Sequence, residues 1–128
     1  MKILLDTCTF LWIIAGSKEL SSKARDVFVD PDVDVYLSAA SCWEISVKWS
    51  LGKLELPQEP RLFVSRQRDK HGVLPLPISE EATFNLPSLP KIHKDPFDRI
   101  LICQAIQDGM ILLTPDPMIT TYPVRTAW

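Results

Sequence analysis

Four acidic residues stand where a carboxylate could do chemistry: Asp6, Glu44, Asp98 and Asp116. Asp6 ends the apolar run Ile3-Leu4-Leu5, Glu44 follows the apolar stretch ending at Leu37, Asp98 lies in the first turn of an apolar segment, and Asp116 follows Leu112-Leu113-Thr114. Were they to converge, each pair about 5 Å apart would repel by on the order of 3 kcal/mol at an effective dielectric near 20, so a cation belongs between them. Oxygen-only donors select a hard ion, Mg²⁺ or Mn²⁺. Such a site suits phosphoryl or phosphodiester chemistry, because the ion lowers the pKa of water, orients it and neutralises charge growing on phosphate.

Each acid also has a structural reading, since acids favour helix N-termini whether or not they react. Asp95 and Asp98 could be a cap and its partner three residues on, Asp116 a plain cap before Pro117, and Glu44 the far half of a capping box opened by Ser41. Lys48, four residues beyond Glu44, could form an ordinary helical ion pair with it. Asp98 fits the structural reading less well. On a helical wheel it falls near the centre of an apolar arc made by Phe97, Leu101, Ile102, Ala105 and Ile106, with Arg99, Gln104, Gln107 and Asp108 opposite. A charge there needs a strong partner.

The elements that would carry these acids alternate in type. Lys2–Leu5 reads as a buried strand, Thr7–Ala15 as a helix stopped by Gly16, and Ser21 or Ser22 through Asp30 as a second helix ended by Pro31. Val33–Leu37 is a second strand, the Ser41 box opens a helix closed by Leu51-Gly52, and Pro60 to His71 is another. Val73–Leu76, a short helix from Ser79, a long helix from Asp95 to Asp108-Gly109, the strand Met110–Leu113, a helical turn at Asp116-Pro117 and an edge strand after Val124 complete the chain. Alternating strands and helices predict an α/β fold, a three-layer α/β/α sandwich around a mostly parallel sheet, with residues 1–128 as one domain. In such sheets ligands bind at the carboxyl ends of the strands, where all four acids fall.

Fourteen basic against sixteen acidic residues leave a net charge of −2, which excludes a protein that coats nucleic acid by charge alone. From Trp43 to Ile100, however, nine bases meet eight acids, so a local basic rim could receive phosphates, and a solvated face over Arg61–Lys70 accounts for the same residues. Trp12, Trp43 and Trp49 offer stacking surfaces or core packing. Cys8, Cys42 and Cys103 are odd in number, sit in apolar surroundings and read as buried free thiols of a reducing cytosol. His71 and His93 are isolated in sequence and give a histidine-based site little to build from. The first twelve residues are too short and too acidic for a signal peptide or membrane span. The expected location is the cytoplasm.

Several strings together resemble a known family. Leu4-Leu5-Asp6-Thr7, Ser38-Ala39, Trp43-Glu44-Ile45, Leu51-Gly52-Lys53-Leu54, His93-Lys94-Asp95-Pro96-Phe97-Asp98-Arg99 and Ile111-Leu112-Leu113-Thr114 with Asp116 and Trp128 resemble PIN-domain ribonucleases. The nearest branch is the VapC-like toxins of type II toxin–antitoxin modules. The resemblance implies a Mg²⁺-dependent endoribonuclease, with Mn²⁺ as substitute, in which Asp6 and Asp98 are the principal metal ligands. Glu44 and Asp116 would hold a second ion or position the attacking water. Asp95 is a further acid of the motif, a cap or a support behind the quartet. Thr7 and Thr114 would orient carboxylates or water, or are plain helix-start and strand-end threonines. Arg99 would touch phosphate or make a surface ion pair. The two prolines around Asp116 depart from the pattern and either fix that carboxylate or misplace it.

The implied partners are a single-stranded or looped RNA substrate, a cognate antitoxin protein and a second copy of the chain in a homodimer. Two other readings compete. One is a catalytically weak PIN-like module that binds RNA or a protein. The other is a haloacid-dehalogenase-type phosphatase, which needs a second acid two residues after the first, where this chain has Cys8. Two divalent ions would turn the formal −2 into +2, so binding at the site should depend on them.

Overall fold

The computed structural model describes residues 1–128. Five short strands, β1 (Lys2–Leu5), β2 (Asp34–Ser38), β3 (Leu74–Leu76), β4 (Ile111–Leu113) and β5 (Thr126–Ala127), form one sheet in the order β3-β2-β1-β4-β5. Every pairing is parallel, so the sheet is wholly rather than mostly parallel. Parallel strands need long crossovers. These are supplied by α1 (Thr7–Ala15), α2 (Ser22–Val29), α3 (Ala39–Ser50), α4 (Pro60–His71), α5 (Glu80–Phe84), α6 (Pro96–Asp108) and α7 (Pro117–Thr120).

Two apolar clusters show the sheet covered on both faces. Leu4 and Leu112 join Leu101, Ile102, Ala105 and Ile119 on one side. Ile3, Leu5 and Leu113 join Phe10, Ala24, Ile45 and Val64 on the other. Neighbouring residues of β1 and β4 thus feed opposite layers, as the two-residue strand period requires. The α/β/α sandwich expected from the alternation of elements is the fold found.

The chain first builds outward from β1 to β2 and β3, then returns to place β4 and β5 on the other side of β1. Strand order reverses between β1 and β4, which opens a crevice beyond their carboxyl ends. Two expectations change here. The third helix starts at Ala39, capped by Ser38 through the Ala40 amide, so Ser41 lies inside it and Glu44 is no part of a capping box. Helix α6 is buried on several sides, with Gln104 2% exposed and Ile106 46% exposed. The single-arc wheel placed those two residues the wrong way round because α6 packs beneath the sheet and against α3 and α5 at once.

Candidate active site

Asp6 is the residue at which β1 becomes α1. Its Oδ1 accepts from the Thr9 amide at 2.7 Å, capping α1, and Thr114 at the end of β4 donates its hydroxyl to Oδ2. The cap and the Thr114 contact across the β1–β4 gap fix both oxygens. Burial raises the Asp6 pKa above its ordinary 3.8, while the bonds from Thr114 and Thr9 pull against that rise. Thr114 is therefore more than a strand-end residue: its oxygen also accepts from the Asp116 amide at 3.1 Å, tying two acids together. Thr7 turns instead to Ser41, to which it donates at 2.9 Å, locking α1 to α3.

Asp116 caps the short α7 through the Met118 amide at 2.9 Å. Pro117 after it favours an extended backbone at Asp116, and φ −64°, ψ 115° is that conformation. The prolines leave its carboxylate on the crevice.

Glu44 is 7% exposed and meets Lys48 at 2.7 Å, the helical pair expected from their spacing. The hydrogen bond that Lys48 donates to Glu44 raises the Lys48 pKa, so this cation is firmly charged.

Asp95 caps α6, accepting from the amides of Phe97 and Asp98 at 2.9 and 3.2 Å. Asp98 does not return the favour. Its Oδ2 lies 3.1 Å from His93 Nε2. Burial pushes Asp98 up to about 6, against the opposing His93 bond, and the charges of Asp95 and Asp116 add to the rise. His93 itself stands above its ordinary value: burial lowers it, and the bonds to Asp98 and Tyr122 together outweigh that.

One pocket of about 140 Å³ is lined by Asp6, Thr7, Cys8, Glu44, Lys48, Asp95, Asp98 and Asp116. All four acids singled out in the sequence therefore meet at one place, joined by Asp95. Five carboxylates face one cation, Lys48. They line one pocket, but no three of them stand grouped closely enough to form a ready-made metal cage. Larger clefts lie elsewhere, one of about 240 Å³ between α3 and α4 and one of about 350 Å³ beside Lys91 to Lys94, and neither collects these acids.

Several residues differ from their sequence reading. Arg99 points away from the acids, donating to the carbonyls of Pro90 and Leu86 and to the Tyr122 hydroxyl, so it makes neither a surface ion pair nor part of the pocket. His93, which looked isolated, contacts Asp98. A ring five residues ahead of the acid was visible in the sequence, but its loop geometry was not. Cys8 is exposed rather than buried, and only Cys103 is fully buried. Partial burial, with the negative charges of Asp6, Glu44 and Asp98, raises the Cys8 thiol, which keeps it protonated. Trp43 and Trp49 are 59% and 41% exposed, not core. Trp43 stands beside Glu44 and packs edge-on against Phe97 with ring centroids 4.9 Å apart.

An all-parallel sheet with carboxylates gathered where its strand order reverses defines the class of protein. The sequence matches the PIN domain over residues 3–123, and the chain belongs to that family. It is 32% identical over 62 residues to the ribonuclease VapC16 of Mycobacterium tuberculosis (strain ATCC 25618 / H37Rv), a match covering 48% of this chain and 44% of that protein. The chain thus spans less than half the length of the curated relative it matches. Among solved structures it is similar to VapBC2 from Rickettsia felis, which was bound to a promoter DNA fragment, at TM-score 0.73 and 12% identity over 99% of this chain and 98% of that one. VapBC-1 from nontypeable Haemophilus influenzae gives TM-score 0.65 and 17% identity over 99% and 97%. At these identities the likeness is one of fold. No helix is long and apolar enough to cross a membrane.

Proposed function

We propose that this PIN domain is a divalent-metal-dependent endoribonuclease and acts as the toxin of a type II toxin–antitoxin pair. The observation that carries the reading is the pocket in which Asp6, Glu44, Asp95, Asp98 and Asp116 converge at the β1–β4 crevice. An oxygen-only donor set that is not gathered into a cage fits Mg²⁺, which binds through one or two carboxylates and keeps several waters, better than an ion that needs an all-protein cage. Asp6 and Asp98 are the residues to hold it, with Glu44 and Asp116 beside them. When bound, Mg²⁺ or Mn²⁺ supplies Lewis acidity and a water of lowered pKa.

The chain's own groups do the rest. Thr114 holds Oδ2 of Asp6 in place, and Pro115 and Pro117 restrain the backbone around Asp116. Lys48, half exposed at the pocket wall, offers a charge to an RNA phosphate once Glu44 releases it. Trp43, more than half exposed beside the pocket, offers its indole to a base of single-stranded or looped RNA. Hydrolysis in line at phosphorus would leave 5′-phosphate and 3′-hydroxyl ends.

The match to VapC16 and the similarity in fold to VapBC complexes support the ribonuclease and antitoxin readings. A cytoplasmic location and a homodimer of this single 1–128 domain belong to the same proposal. The experiment is RNA cleavage in Mg²⁺ by the purified protein and by Asp6→Asn. Unchanged activity in the variant sinks the assignment. Detecting no cleavage of any RNA pool and no shift in melting temperature on adding Mg²⁺ favours a binding module instead.

A further inference from the structure

Behind Asp98 lies a chain of hydrogen bonds that the proposed chemistry does not by itself require. Tyr122, 3% exposed, places its hydroxyl oxygen where three groups converge. The His93 backbone N–H donates to it at 3.1 Å, Arg99 Nη1 donates at 3.0 Å, and His93 Nδ1 lies 2.8 Å away. Arg99 is itself fixed by the carbonyls of Pro90 and Leu86 at 2.9 and 3.3 Å, and its guanidinium stands 5.9 Å from the Tyr122 ring centroid.

Donor and acceptor counting settles which way the remaining proton points. A phenolic oxygen has two lone pairs and one O–H. The two N–H donors, the His93 amide and Arg99, use both lone pairs. A third N–H, on Nδ1, would have no lone pair to enter. The Tyr122 O–H therefore donates to Nδ1, its shortest contact, rather than to the His93 carbonyl at 3.4 Å. In a neutral ring one nitrogen accepts and the other donates. Nε2 thus carries the hydrogen and donates it to Asp98 Oδ2 at 3.1 Å. The edge-on packing of the His93 and Tyr122 rings, centroids 5.4 Å apart, holds the imidazole plane in that orientation.

We propose that His93 is a positioning residue whose Nε2–H, selected by Tyr122 and Arg99, clamps one oxygen of Asp98 and presents the other to a divalent cation. This rests on the metal-site reading given above. Acidic ligands are held in this way elsewhere by groups that never touch the ion, and removing such a group typically weakens metal binding by about 10–100-fold. Arg99 acts two hydrogen bonds further back, which explains an arginine that follows Asp98 in sequence yet stays out of the acid pocket.

The test uses the full chain with Mn²⁺ as probe, read by electron paramagnetic resonance, and ¹⁵N spectra of the His93 ring above the pH at which it titrates. The wild type is expected to bind Mn²⁺ and to show a protonated Nε2 with a bare Nδ1. His93→Ala should bind Mn²⁺ about 10-fold or more weakly. His93→Gln, whose amide keeps a donor near the same place, should recover most of that loss. Tyr122→Phe keeps the packed ring, so it remains informative if His93→Ala folds poorly, and it should both weaken Mn²⁺ binding and abolish the preference for Nε2–H. A purely structural role would lower the melting temperature of these variants without rescue of ion affinity by Gln. A wild-type ring protonated on Nδ1, or Mn²⁺ bound as tightly by His93→Ala as by the wild type, overturns the inference and leaves the metal site standing. Failure of the wild type itself to bind Mn²⁺ overturns both.

Discussion

A carboxylate that burial holds near neutral is costly to ionise, and Asp98 is the clearest case in this chain. Its pKa is about 6 in the fold against an ordinary 3.8. The folded state thus binds a proton that the unfolded chain has already lost between those values. Its contribution to stability is present below about pH 4 and fades as pH rises toward 6. In chelator the protein should therefore melt at a lower temperature at pH 7 than at pH 5, as scanning calorimetry can measure. Asp98→Asn should remove much of that slope and raise the melting temperature at pH 7 while abolishing metal-dependent cleavage. Trp43 gives a different signature: Trp43→Ala should raise KM for RNA by an amount reflecting about 1–3 kcal/mol of base stacking and leave the Mg²⁺ requirement unchanged.

At this scale the acids themselves were legible in the sequence, because strand-end and helix-start positions can be recognised from neighbours within a turn. The bonds that hold them were not. Thr114 reaches Asp6 across 108 residues, and Tyr122 reaches His93 across 29. Nothing in local spacing encodes either pairing.

Among the elements, α6 carries the most. It brings Asp95 and Asp98 to the pocket from its first turn, and Gly109 at φ 64° ends it so that the chain can enter β4 two residues later. Its middle is anchored by Gln104, 2% exposed, which accepts from the Ser38 hydroxyl and donates to the Pro77 carbonyl at 3.1 Å. That amide ties the end of β2, where α3 begins, to the helix bearing Asp98, so Glu44 and Asp98 are set by one buried link. Gln104→Leu strands both partners and should cost roughly 1–3 kcal/mol in urea unfolding. A helical wheel could not reveal this, since it assumes one buried face and α6 has neighbours on several. Strand and helix positions, by contrast, were read to within a few residues. The late shift of the α3 start from Ser41 to Ser38 shows why ends are harder: both serines are credible caps, and only the packing of Ser38 on Gln104 chooses between them.

For the whole molecule, the net charge of −2 conceals a division of labour. Five of the sixteen acids line one pocket of about 140 Å³ whose only basic side chain is Lys48. A ligand that binds only the folded form stabilises it by mass action, so Mg²⁺ at about 100 times its Kd should add about 2.7 kcal/mol. Sodium at the same ionic strength should not match the resulting rise in melting temperature. The topology made this pocket foreseeable in outline: alternating elements imply a parallel sheet, and a parallel sheet places its crevice at the carboxyl ends of its strands. The reversal of order between β1 and β4 was not foreseeable, because strand order is fixed by which apolar faces finally cover which.

The central claim is that the pocket acids make a metal-dependent ribonuclease. The most direct measurement is cleavage of an RNA pool by the purified wild type and Asp98→Asn, each with Mg²⁺ and with chelator. The account predicts cleavage by the wild type in Mg²⁺ alone, with 5′-phosphate ends, and none in the other three reactions. Cleavage that persists in chelator, or that Asp98→Asn performs at the wild-type rate, would contradict it.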